Sequence, residues 1–200
     1  MSGPAAIPFV GLTGAMGAGK SSALEALSRL GAATLSTDQV VHDLYERPEV
    51  IEAVVGRWGT GAAPGGVVDR AQVARHAFAD PEERAWLEQL LWPLVAAEVQ
   101  AFREQAPARE PRPKAMVVET PLLFEAGMES AYDATIVVVT EEQLRLRRAA
   151  ARGHAAVDER HDRQLTQEEK AERATYVVAN DGSFGDLEAA LAGVLGRLAE

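Results

Sequence analysis

Gly14 Ala15 Met16 Gly17 Ala18 Gly19 Lys20 Ser21 is the stretch that decides the fold, and what stands on either side of it gives it meaning. Before it, Ile7 Pro8 Phe9 Val10 Gly11 Leu12 Thr13 is a short apolar run that suits a buried strand, with Pro8 near its start. After it, Ala23, Leu24, Leu27 and Leu30 recur at helical spacing until Gly31 stops the pattern. The eight residues match GxxxxGK[ST] in the strand, loop and helix context that the pattern requires. Glycines there let successive backbone N–H groups turn inward around phosphate oxygens, and the helix N-terminus adds a partial positive charge. Lys20 is then placed to reach β and γ phosphates, and the Ser21 hydroxyl to coordinate magnesium. The plain alternative is a glycine-rich turn without a ligand. A dinucleotide-binding turn is excluded, because its third glycine would fall at Ser22.

Outward from this unit, the chain alternates strand and helix patterns. Residues 33–37 predict a second strand, followed by helical patterns over 39–45 and 50–58 and a loop over 59–66. Residues 70–106 predict mainly helix, with Leu87, Leu90, Leu91, Leu94, Val95, Val99 and Phe102 as core candidates and a kink or division at Pro93. Residues 105–114, rich in proline and charge, form a surface connection. Two apolar runs, 115–118 ending at Glu119 and 134–139, predict buried parallel strands. Thr140–Gln143 and Thr166–Glu169 each read as a capping box opening a helix. A last strand over 176–179 ends at the turn signal Asn180 Asp181 Gly182, and Leu187, Leu191, Val194, Leu195 and Leu198 stripe a terminal helix. The fold class is therefore α/β, a five-stranded parallel sheet flanked by helices, with ligands expected at the carboxyl ends of the strands.

Composition narrows the function classes. At 200 residues, with 47% hydrophobic and 25% charged residues, the chain fits one globular domain over 1–200 and excludes a disordered protein. A net charge of −10 argues against a chain whose work is gripping nucleic acid. No apolar run reaches the length of a membrane span and no secretion-signal pattern opens the chain, so a cytoplasmic protein without a membrane partner is expected. The absence of cysteine excludes a thiol nucleophile and thiolate metal sites. Only three residues are lysine, Lys20, Lys114 and Lys170, against seventeen arginines, which makes the lysine of the loop informative.

Phosphoryl transfer to a hydroxyl needs a carboxylate to take its proton and cations over the transferring group. Asp38, at the predicted end of the second strand, is the candidate base; its alternative is a cap for the helical segment beginning at Gln39. Glu119 is a candidate to hold a magnesium-bound water, or else a solvated residue at a strand end. Arg145, Arg147, Arg148, Arg152, Arg160 and Arg163 concentrate guanidinium groups between two predicted helices, where a lid over 145–163 would close on phosphates; the alternative is solvated surface. The four histidines show no metal-ligand spacing. Thr140 Glu141 Glu142 Gln143 stands where a GTPase would carry Asn-Lys-x-Asp.

Across about 7–198 the chain resembles the dephospho-coenzyme A kinases. The resemblance is carried by the loop, by Asp38 with Val40, Val41 and His42, by Val68 Asp69 Arg70, and by Phe78 Ala79 Asp80 Pro81. It continues through Leu90 Leu91 Trp92 Pro93 Leu94, Pro121 Leu122 Leu123 Phe124 Glu125, Arg160 with Gln164 and Lys170, and Tyr176 Val177 Val178 Ala179 Asn180. It implies transfer of the γ-phosphoryl group of ATP to the ribose 3′-hydroxyl of dephospho-coenzyme A, with magnesium as cofactor. In that reading Asp38 is the base, Lys20 and Arg152 share the catalytic work, and Ser21 holds the metal. Gly14, Ala15, Met16, Gly17, Ala18, Gly19, Lys20, Ser21, Ser22, Arg152 and Arg160 bind the nucleotide. The region over about 70–105 and the turn over 121–125 would shape the acceptor site. Ser36 stands where the family usually has the first acid of an acid-x-acid pair, and Trp92 Pro93 replaces its usual His-Pro. A related kinase acting on another small hydroxyl or a nucleoside monophosphate, and a nucleotide-binding regulator without transfer activity, are the alternatives.

Overall fold

Aromatic, β-branched and aliphatic residues, with Thr13 the one polar side chain among them, make Phe9–Gly14 the central strand, β1, all six residues of which are buried. The computed structural model describes residues 6–151 and 164–199. The chain divides into two compact units, Met1–Ser36 with Arg103–Glu200, and Thr37–Phe102.

The first unit is a five-stranded parallel sheet: β1, β2 (Ala33–Ser36), β3 (Met116–Glu119), β4 (Ala134–Val139) and β5 (Tyr176–Ala179), in the order β2-β3-β1-β4-β5. This meets the expected fold class. Helix α1 (Lys20–Arg29) follows β1 directly through the glycine loop. Its buried Ala23, Ala26 and Leu27 join Val10, Leu12, Val117, Ile136 and Val138 of the sheet and Leu187, Leu191, Val194 and Leu195 of the last helix in one core cluster. Each fully buried leucine or valine there contributes roughly 1.5–3 kcal/mol relative to its exposed state.

The second unit is helical: α2 (Thr37–Leu44), α3 (Pro48–Trp58), α4 (Arg70–Ala79) and most of α5 (Pro81–Gln105). Its family-like strings have local structural causes. Asp69 caps α4, its carboxylate accepting from Ala71 N and Gln72 N, and Asp80 Oδ1 accepts from Glu82 N at the start of α5. Arg70 Nη1 donates to His42 Nδ1 at 2.7 Å. Trp58 stacks on His76, meets Trp86 edge-on and donates to Glu83, which also takes a bidentate bond from Arg57. Those bonds hold the Glu83 carboxyl below its ordinary range.

Several boundaries differ from expectation. The second strand ends at Ser36, so Thr37 and Asp38 already belong to α2. The division of 70–106 falls at Asp80, and α5 runs unbroken through Pro93. Of the seven core candidates in that stretch only Leu91 and Phe102 are buried; Trp92 is 62% exposed. Helix α6 (Glu142–Ala151) is not opened by a Thr140 capping box, because the Thr140 hydroxyl bonds across to Asp181 Oδ1 at 2.8 Å and Asn180 O at 3.1 Å. The second box is real: Thr166 and Glu169 cap each other at the start of α7 (Gln167–Arg173). Helix α8 (Phe184–Leu198) closes the chain behind a Ser183–Asp186 box. Among the described residues no helix is long and apolar enough to cross a membrane.

Candidate active site

The loop between β1 and α1 needs its glycines for space as well as for rotation. Gly17 and Gly19 have φ of +82° and +99°, in the left-handed region that side chains disfavour. A Cβ on Gly17 would lie 2.4 Å from Arg145 O, and one on Gly19 would lie 2.0 Å from Asn180 Nδ2. The loop is thus enclosed from two sides by later parts of the chain. Arg145, 6% exposed, donates from Nη1 to Met16 O at 3.2 Å while Nε and Nη2 grip Glu142. The paired carboxylate pushes the guanidinium pKa upward. Asn180, 7% exposed, donates from Nδ2 to Ala18 O at 2.8 Å.

With the loop fixed in this way, its lysine is fixed as well. Lys20 Nζ folds back to Gly14 O at 3.0 Å and Ala15 O at 3.4 Å, so the ammonium sits over the loop. Ser21, in the first turn of α1, is exposed. The N-terminal end of α1 has no side-chain cap at Gly19, and the partial positive charge of a helix N-terminus favours an anion there. An oxyanion is the species that satisfies such an array.

Beside the loop lies a cleft of about 150 Å³ lined by Gly19, Ser22, Arg148, Asn180, Gly182, Phe184 and Leu187. Arg148 Nη1 is held by Asn180 O at 2.9 Å. Asp181 keeps the turn in place, accepting from Glu141 N at 2.6 Å and from the Thr140 hydroxyl; these bonds hold its carboxyl below the usual range. Phe184 and Leu187 give this otherwise polar cleft one apolar side and Arg148 a guanidinium, surroundings that suit a planar, electron-rich ring.

Glu119 ends β3 next to β1, with Leu12 as its register partner, and it is 4% exposed. The expectation of a solvated strand end is therefore corrected: β3 lies between β2 and β1, and Ser36 Oγ donates to Glu119 Oε2 at 2.5 Å. The string Pro121–Glu125 binds inward. Pro121 O accepts from the Thr13 hydroxyl at 3.1 Å and from Lys170 Nζ at 3.1 Å, and Glu125 Oε1 pairs with the fully buried Lys170 at 2.9 Å while accepting from Leu165 N.

Asp38 lies in the first turn of α2, exposed, within the helical unit. Arg152 and Arg160, with Arg163, lie outside the described residues, as does most of the expected lid; its described part is helical, and its Arg145 and Arg148 brace the loop and the turn after β5. Reading along the chain placed Arg148 in the expected lid and gave Asn180 and Asp181 only a turn, with no role at the phosphate loop. The one available signal was that the Asn180 Asp181 Gly182 turn leaves a strand on the carboxyl edge where ligands bind. Among the described residues no cluster of three His, Asp or Glu side chains forms a metal cage.

A parallel sheet in this order, with a GxxxxGK[ST] loop after its central strand and a braced turn after its edge strand, defines a P-loop phosphotransferase fold. The chain belongs to the dephospho-CoA kinase family, whose family model matches residues 8–186. The dephospho-CoA kinase of Deinococcus radiodurans is 38% identical over 192 residues, covering 94% of this chain and 91% of that protein. Among solved structures, a Thermus thermophilus protein is similar at TM-score 0.78 and 34% identity, covering 98% of this chain and all of that one. The dephospho-CoA kinase of Campylobacter jejuni is similar at TM-score 0.67 and 26% identity, covering 95% and 96%.

Proposed function

We propose that this chain transfers the γ-phosphoryl group of ATP to the ribose 3′-hydroxyl of dephospho-coenzyme A, yielding coenzyme A and ADP. The observation that carries the reading is the braced loop itself, an oxyanion cradle with Lys20 folded over it, on a chain of this family. The acceptor oxygen attacks the γ-phosphorus, the bond to the β–γ bridging oxygen breaks, and the acceptor proton passes to Asp38. Backbone N–H groups of the loop and the Lys20 ammonium offset charge on the β and γ phosphates, already oriented before the nucleotide arrives. The adenine end lies in the cleft between Arg148, Phe184 and Leu187.

The donor set fits magnesium, which keeps several waters and is carried on nucleotide phosphates rather than in a cage of side chains. Ser21 would hold it directly and Glu119 through its hydration water; once bound it neutralises charge on the phosphates. Arg152 and Arg160 are assigned to phosphate contact, and the regions over 70–105 and 121–125 to the acceptor, on the family resemblance. The reaction draws on ATP, and we place it in the cytoplasm.

The test is ADP release by purified protein with ATP and magnesium, with dephospho-coenzyme A offered beside AMP and unrelated sugar alcohols, and product mass checked for one added phosphate. Acceptor-specific formation of coenzyme A is expected. ADP release with another acceptor alone, or ATP binding without turnover on any acceptor, would overturn the assignment.

A further inference from the structure

Ser36 occupies the position at which the chain departs from its family's acidic pattern, and the structure gives the replacement work to do. Ser36 and Glu119 are register partners at the carboxyl ends of β2 and β3, so their side chains stand next to each other on one face of the sheet. The Glu119 carboxylate is buried, and a buried carboxylate is retained only where donors meet its oxygens. Ser36 Oγ supplies one at 2.5 Å from Oε2. Because an ionised carboxylate only accepts, this bond fixes both the hydroxyl rotor and the carboxylate plane. A second acid at position 36 would put two like charges at one register position; serine leaves Glu119 as the single charge of the pair.

We propose that Ser36 is a positioning residue for phosphoryl transfer: its hydroxyl orients Glu119 toward the hydration shell of the magnesium that accompanies the nucleotide. The inference rests on the magnesium role given to Glu119 above. Serine in place of an acid is then a change of method rather than a loss, since one oriented carboxylate serves where the family pattern has an acid at position 36.

The experiment is calorimetric binding of a non-hydrolysable β,γ-methylene ATP analogue, with magnesium and with EDTA, to wild type, Ser36→Ala, Ser36→Thr and Glu119→Gln. A hydrogen bond to a charged group is worth roughly tenfold or more in an equilibrium constant. Ser36→Ala is expected to lose about tenfold of the magnesium-dependent gain in affinity, to match wild type in EDTA, and to be rescued by Ser36→Thr, which keeps the hydroxyl. Should Ser36→Ala fail to fold, Ser36→Cys takes its place, being close in shape and a weak donor. A magnesium-dependent gain unchanged in Ser36→Ala but lost in Glu119→Gln would overturn the proposal alone. So would an equal loss with and without magnesium, which is the mark of a mere tie between β2 and β3. A gain kept by Glu119→Gln would remove the magnesium role of Glu119 itself, and this inference with it.

Discussion

Gly19→Ala tests whether the loop is held in shape from outside. Gly19 has φ of +99° and ψ of +29°, and its missing Cβ would lie 2.0 Å from Asn180 Nδ2. Two costs follow. A left-handed conformation with a side chain costs about 1–2 kcal/mol. The methyl also drives away the Asn180 amide, which breaks its 2.8 Å bond to Ala18 O and leaves a buried acceptor without a donor, about 1–3 kcal/mol more. The sum is about 2–5 kcal/mol, which for a chain of this size lowers Tm by roughly 4–20 °C. The two costs separate in a double-mutant cycle, because Asn180→Ala already removes both the amide and its bond. In that background Gly19→Ala should cost the backbone share alone, about 1–2 kcal/mol, for a coupling of about 1–3 kcal/mol. Urea unfolding followed by circular dichroism, without nucleotide, measures all four proteins. Tryptophan fluorescence serves as an internal comparison, since Trp58, Trp86 and Trp92 all lie in the Thr37–Phe102 unit. Additive costs, with Gly19→Ala equally damaging in both backgrounds, would refute the idea that Asn180 shapes the loop.

The remaining predictions concern the base, the buried pair and the turn after β5. Asp38→Asn should lower turnover about 100-fold or more with ATP affinity little changed, as for loss of an acid/base group; steady-state kinetics showing wild-type turnover would remove Asp38 from that role. Lys170→Met breaks a fully buried pair and strands the Glu125 carboxylate, whose Oε2 already lacks a hydrogen-bond partner, so urea unfolding should show a loss of about 3–5 kcal/mol that Lys170→Met with Glu125→Leu largely recovers. The Asp181 carboxyl is held below its ordinary value of 3.8 by Glu141 N and the Thr140 hydroxyl. A depressed carboxyl pKa gives stability that is present above the ordinary value and lost as pH falls through the depressed one. The urea midpoint of Asp181→Asn should therefore lie below wild type near neutral pH and converge with it in acid; a gap constant with pH would contradict this.

How much of the site was legible depended on how far apart its parts lie in the chain. The phosphate loop is eight consecutive residues and declares itself. Asn180 does not, because its partner Ala18 is 162 residues away and the two meet only once β4 has paired with both β1 and β5. Thr140–Gln143 and Thr166–Glu169 look alike in sequence, yet only the second is a cap, since the Thr140 hydroxyl finds Asp181 across the sheet edge. Glu119 reads as a solvated strand end until β2 is known to cover it. Pro93 reads as a break, but Gln89, Trp92 and Pro93 are all exposed, so the carbonyl that the proline leaves unbonded faces water and the helix continues.

The strings that separate this family from other phosphate-loop chains are instructive in the same way. Pro121–Glu125, to which the resemblance gives the acceptor, also makes internal bonds: to Thr13 in β1, to Lys170 in α7 and to Leu165 N just before it. Val68 Asp69 Arg70 and Asp80 Pro81 begin helices. These strings therefore act first as constraints on where helices begin and where strand ends meet. In the sheet unit, a P-loop cradle works only if β1, β4 and β5 end at fixed positions, because the loop is shaped by Arg145 beyond β4 and Asn180 beyond β5 as much as by its own glycines. A substitution at any of these distant contacts should thus alter the phosphate loop without touching a residue of its motif.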